Sequence, residues 1–212
     1  MVKKAFIVFV GIDGSGKTTH AKSLSKELQR EAINSIYFRP RDISLAPTFL
    51  RNLLKSYPSV SPRNATISNE FGNFSSKSIL KALFLTIPFW VYALIVYCTW
   101  IRPLQHKKVV VCDRYFFDWF YNLWGNMSIA LTRLLPKPDM VFLLDVPVTI
   151  AFSRMHSTSD RQIPLSYYES LRNWYLTLAN QRGFFVIDSS GDFEEVKTVI
   201  KEHVVRVLRS NS

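Results

Sequence analysis

The stretch GIDGSGKTT, residues 11–19, sets glycines at 11, 14 and 16 directly before Lys17, Thr18 and Thr19. Glycines at this spacing let successive backbone N–H groups turn inward. Together with the start of a following helix, those groups cradle a phosphate. Lys17 adds a movable point charge for β- and γ-phosphates, and the Thr18 hydroxyl is a ligand for Mg2+. Gly11, Asp13, Gly14, Ser15, Gly16 and Thr19 belong to the same nucleotide-binding loop, whose core is residues 11–18. A dinucleotide fingerprint fits less well, because its third glycine is a threonine here.

Phosphoryl transfer needs positioned charge more than covalent help, and the chain offers it. Asp113 follows the apolar run VVVC and suits either a ligand to Mg2+ through water or a carboxylate that orients the acceptor. Arg114 comes next, and Arg39 ends another apolar run, so both are expected in the crevice at the carboxyl ends of strands. Arginines there grip an anion bidentately. The polar segment SRMHSTSDRQIP carries Arg154 and Arg161 and reads as a short lid, about 153–164, that excludes water and brings in positive charge. Arg172 on the next helix is a further candidate for the cleft. No histidine stands in a general-base setting, and His20 is expected to pack on the first helix.

These groups need a scaffold that ends several strands at one edge. AFIVFV (5–10), SIYF (35–38), VVVC (109–112), MVFLLDV (140–146) and FFVID (184–188) read as strands, with helical patterns between them, including 18–30 and 192–209. Strands that do not alternate polar and apolar are buried on both faces, so the expected fold is α/β, a doubly wound parallel sheet flanked by helices. No repeat or linker divides the chain, and one domain over 1–212 is expected.

The chain has 212 residues, 48% of them apolar, a formal charge of +11 and two cysteines. That composition disfavours a disordered chain, a disulfide framework and a Cys/His metal cluster. The start of the chain does not read as a signal peptide, so a cytoplasmic location is the expectation. The cations are dispersed, which makes nucleic acid an unfavoured partner. Residues 82–101, ALFLTIPFWVYALIVYCTWI, hold no charge. Their length and composition suit a membrane helix. Strands on either side belong to one sheet, so a buried helix or a homodimer contact is favoured over peripheral membrane contact.

GIDGSGKTTHAKSL, YFRP, VVVCDRYFFD, PDMVFLLDVPVTIAFSR, YYESLRNWYLTLA and FFVIDSS, in this order, resemble the thymidylate kinases, a family of P-loop nucleoside monophosphate kinases. The resemblance implies the P-loop kinase fold with five parallel strands, ATP and Mg2+ as cofactors, dimers, and transfer of the γ-phosphoryl group to dTMP. It implies acceptor contacts for Asp13, Arg39, Asp113, Arg114 and Tyr115, with Tyr121 in the base region. Lys17, Arg114, Arg154 and Arg161 would be catalytic, and Thr18 and Asp113 would hold the metal. The sequence also departs from the family pattern. The Glu of Phe-x-Arg-Glu-Pro is missing after Arg39, and Asp118 and YNL (121–123) replace a serine and Ala-Tyr-Gln near the base. Arg102 is only a loose match to another substrate-phosphate arginine. Two alternatives stay open: a P-loop kinase with another nucleoside monophosphate or small phosphate acceptor, and a non-enzymatic nucleotide-binding or membrane-associated switch.

Overall fold

A computed structural model describes residues 4–40, 76–155 and 163–210. Five strands, β1 (Ala5–Val10), β2 (Ser35–Phe38), β3 (Val109–Asp113), β4 (Met140–Asp145) and β5 (Phe185–Asp188), form one sheet in the order β2-β3-β1-β4-β5. Every pair is parallel, with Ala5 opposite Val109, Ile7 opposite Met140 and Phe142 opposite Phe185. The doubly wound parallel sheet expected from the sequence is therefore present, and β1 lies at its centre.

Side chains on a strand alternate between faces, so two apolar layers form. Ile7, Phe9, Val111 and Phe142 point to one side, where α1 (Lys17–Arg30) and α8 (Phe193–Ser210) cover them. Phe6, Val8, Val110 and Leu143 point to the other. That side is covered by α2 (Ser76–Val96), α4 (Phe117–Trp124), α6 (Val148–Arg154) and α7 (Leu165–Arg182). Between α2 and β3 the chain continues through a π-helical turn, Tyr97–Ile101, and the short α3 (Arg102–Gln105). A four-residue helix, α5 (Ser128–Leu131), follows α4.

Two helix ends follow the sequence signals. Asp192 Oδ1 accepts from the backbone N–H of Glu194 at 2.8 Å, which caps α8 as its position predicts. Gly183 has φ 68° and closes α7 in the left-handed conformation. Tertiary packing then fixes the layers. The Phe142 ring lies between Phe9 at 5.3 Å and Phe185 at 5.5 Å and is fully buried. Phe142→Ala is expected to cost about 3–5 kcal/mol, read as a lower midpoint in urea denaturation followed by circular dichroism.

Candidate functional site

The loop after β1 depends on glycine at two places. A Cβ on Gly11 (φ 141°) would lie 2.5 Å from Leu144 O, and one on Gly14 (φ 82°) would lie 2.2 Å from Ala151 O. The end of β4 and helix α6 thus close directly on the loop backbone, and only residues without a side chain permit it. Ser15 N–H donates to Ile12 O at 3.2 Å, and His20 N–H to Gly16 O at 3.0 Å, so the loop passes straight into α1.

Lys17 is 4% exposed. Its Nζ donates to Ile12 O at 2.5 Å and stands 3.6 Å from Asp13 Oδ1. Burial pushes its pKa down to about 8, and the Arg114 charge adds to the drop against the opposing pull of Asp13, Asp113 and Asp118. An ammonium held this way is short of counter-charge, and a polyphosphate would supply it.

Asp113 ends β3 and is fully buried. Its Oδ2 accepts two hydroxyl hydrogen bonds, from Thr18 at 2.7 Å and from Tyr37 at 2.8 Å. Its Oδ1 is buried with no hydrogen-bond partner. A carboxylate oxygen left open beside a threonine hydroxyl is a donor set for a hard cation, so Mg2+ fits here. Among the described residues no group of three His, Cys, Asp or Glu side chains could hold a metal unaided. The remaining positions would then belong to water and phosphate oxygens, as Mg2+ prefers.

Arg114 takes φ 71°, rare for a side-chain-bearing residue, while its N–H donates to Phe9 O at 2.9 Å. Its guanidinium pairs with the Asp13 carboxylate. Burial alone would lower the Arg114 pKa, but Asp13, Asp118 and Asp113 raise it on balance. The loop, the end of β1 and the end of β3 are thus joined by charge.

The same backbone turn corrects the expectation for Tyr115. With Arg114 turned left-handed, Tyr115 faces back into the core, 1% exposed, and its hydroxyl donates to Pro136 O at 2.9 Å. It packs against Phe6 and Phe117 and does not reach the cleft. Tyr121 is nearly fully buried. It lies against Trp174 at 5.2 Å and helps line a cavity of about 410 Å³ between α4 and α7, with Asn126, Ser170 and Asn173. No phosphate-loop residue lines that cavity.

The arginines divide. Arg39 is exposed at the end of β2. Arg154 donates to Ser189 O at 2.7 Å and Ser190 O at 2.9 Å. It satisfies carbonyls where β5 leaves the sheet and is not brought to Lys17. Arg172 makes a two-pronged pair with Asp145, Nε to Oδ1 at 2.6 Å and NH2 to Oδ2 at 2.7 Å. Arg161 and most of the expected lid lie outside the described residues. His20 stacks on Phe193 at 4.7 Å, a packing role.

One member of this cluster escapes sequence reasoning. Tyr37 sits in a β-strand where an aromatic residue needs no special reason. Asp118, noted in the sequence for its place near the base, acts through its charge on Lys17 and Arg114. The signal for Tyr37 is its position in β2 two residues before Arg39, which follows the strand.

Comparison with known proteins adds independent findings. The family model for thymidylate kinase matches residues 91–200. A "Probable thymidylate kinase" of Methanocaldococcus jannaschii is 30% identical over 195 residues, covering 90% of this chain and 89% of the relative. One of Thermococcus kodakarensis is 30% identical over 209 residues, covering 92% of each. "Probable thymidylate kinase 1" of Saccharolobus solfataricus is 26% identical over 213 residues, covering 97% of each.

Tyr37→Phe removes one hydroxyl from Asp113 and keeps the ring. It is expected to weaken Mn2+ binding in the ADP complex by about tenfold, measured by electron paramagnetic resonance of free Mn2+; an unchanged affinity removes Tyr37 from the metal site. Lys17 makes a second prediction. At pH 8.5, above its lowered pKa, much of the free lysine is neutral, and a bound polyphosphate recharges it. ATP binding should therefore take up protons at that pH and take up fewer at pH 7, read by calorimetry in buffers of different ionisation enthalpy.

Proposed function

The chain belongs to the thymidylate kinase family, and on that premise we propose that it transfers the γ-phosphoryl group of ATP to dTMP, with Mg2+, giving dTDP and ADP. An oxygen of the acceptor phosphate forms a bond to the γ-phosphorus in line with the breaking bond to the β–γ bridging oxygen, and ADP leaves with that oxygen. Lys17 and Arg114 offset the charge that spreads over the transferring group. Thr18 and Asp113 hold the cation, and Arg39 receives the acceptor's phosphate. Arg161 is assigned a part in charge stabilisation on the family resemblance alone.

One observation carries this reading. Buried Lys17, the Thr18–Asp113 pair and the Arg114–Asp13 pair converge at the carboxyl ends of β1 and β3, where open α/β sheets bind ligands. Family membership supports the phosphotransfer chemistry more strongly than the identity of the base. A second acceptor, another nucleoside monophosphate or small phosphate ester, is favoured by the base region. Leu123, 8% exposed, stands where the resemblance places a glutamine amide, and a leucine cannot hydrogen-bond to a base.

Lys17→Ala is expected to lower kcat/KM by about 10²–10³-fold while the folded circular dichroism spectrum is kept. Unchanged turnover rejects the assignment. A screen of nucleoside monophosphates, read by ADP release, should give dTMP the highest kcat/KM. Release with a different acceptor and none with dTMP selects the second reading.

A further inference from the structure

The two glycines that let the phosphate loop close each meet one wall. Gly11 lies against Leu144 O at the end of β4, and Gly14 lies against Ala151 O in α6. Whatever fixes these two carbonyls therefore fixes the space in which the loop amides gather around an anion. Neither wall belongs to the loop, so each is held from elsewhere.

The residue after Leu144 is Asp145, and it is bonded on two sides. Its carboxylate takes the two-pronged pair from Arg172 of α7. Its carbonyl accepts from Ser189 N–H at 2.8 Å and from Ser189 Oγ at 2.9 Å. Ser189 O in turn accepts from Arg154, the last residue of α6, the helix that carries Ala151. The run Arg172–Asp145–Ser189–Arg154 thus joins α7, the ends of β4 and β5, and α6. Leu171, Tyr175 and Leu178 bury α7 in the core, so Arg172 is presented from a fixed helix. Both members of the pair are partly buried, which limits screening, and a two-pronged pair fixes direction as well as distance.

We propose that Asp145, Arg172 and Ser189 are positioning residues for the phosphate loop, acting through the Leu144 and Ala151 carbonyls on which Gly11 and Gly14 close. The inference rests on residues 11–18 being the ATP site and is independent of which acceptor the kinase takes. A pure charge effect makes a different prediction. Removing the Asp145 carboxylate would then favour a polyphosphate, and removing the Arg172 guanidinium would disfavour it. Positioning gives the same sign at both residues.

ATP binding to the full chain, measured by titration calorimetry, tests this with Asp145→Asn, Arg172→Met and Arg172→Lys. Each is expected to weaken ATP about tenfold. Asp145→Asn combined with Arg172→Met should be no weaker than the worse single variant, because either change already breaks the pair. Arg172→Lys keeps the charge and loses the two prongs, so it should weaken ATP with the others. Thermal unfolding followed by circular dichroism controls for folding, and a partly exposed ion pair contributes little to that midpoint. If Arg172→Met fails to fold, Arg172→Lys and Asp145→Asn decide the matter. A lower midpoint with ATP affinity unchanged makes the pair structural only and overturns the proposal. Tighter ATP binding by Asp145→Asn, or unaltered binding by Arg172→Lys, overturns it in favour of charge alone. A parent chain that binds no ATP overturns the reading of residues 11–18 itself, and this inference with it.

Discussion

A lysine ammonium buried in the turn between a central strand and a helix is the constraint on which the rest of this structure depends. Burying a cation without close counter-charge is costly, and Lys17 meets that cost only in part, through Ile12 O and the more distant Asp13. The loop must therefore come close enough to the protein to dry the ammonium, yet leave its amides free for an anion. Glycine at 11 and 14 makes this possible, since Leu144 O and Ala151 O occupy the space any side chain would need. The parallel sheet follows from the same need. Only parallel neighbours end β1, β3 and β4 at the same edge, and those ends deliver Asp113 and Asp145 beside the loop.

Around that lysine the charges are linked in a chain. Asp13 sits between Lys17 and Arg114, and Thr18 leads from the loop to Asp113, which Tyr37 holds from the other side. The hydroxyl of Tyr37 is held off its ordinary ionisation, chiefly by burial and then by Asp113, so it remains a donor. Both hydrogen bonds fall on one carboxylate oxygen and leave the other without a hydrogen-bond partner. Preorganisation of this kind is what phosphoryl transfer asks of a protein, because the donors then need no rearrangement as charge moves.

The phosphate loop was legible because backbone geometry dictates residue type there, and the strands because burial on both faces leaves no polar positions to hide them. All five strands predicted from the sequence are present, with ends shifted by no more than a residue. Side-chain direction was harder to read. Tyr115 follows an arginine in a left-handed conformation, which no composition signal announces, and so faces the core. Arg154 is drawn instead to the carbonyls of Ser189 and Ser190, which accept from its guanidinium. Tyr37 was invisible for the opposite reason, since tyrosine in a strand is ordinary. In α2 the helical period was masked because both faces are apolar, and only the packing distinguishes Leu85 from Phe84.

That packing also relates the apolar helix to the phosphate chemistry. Tyr92, on the inner face of α2, donates to Pro40 O at 3.2 Å, and Pro40 directly follows Arg39. Beyond the helix, Trp100 stacks on Phe38 of the same strand at 6.4 Å. Among the described strands β2 is an edge strand paired with β3, and these contacts pack the helix against its end. The apolar helix and the strand end that leads to Arg39 are therefore packed together, while Lys17, Thr18 and Asp113 are held at the centre of the sheet.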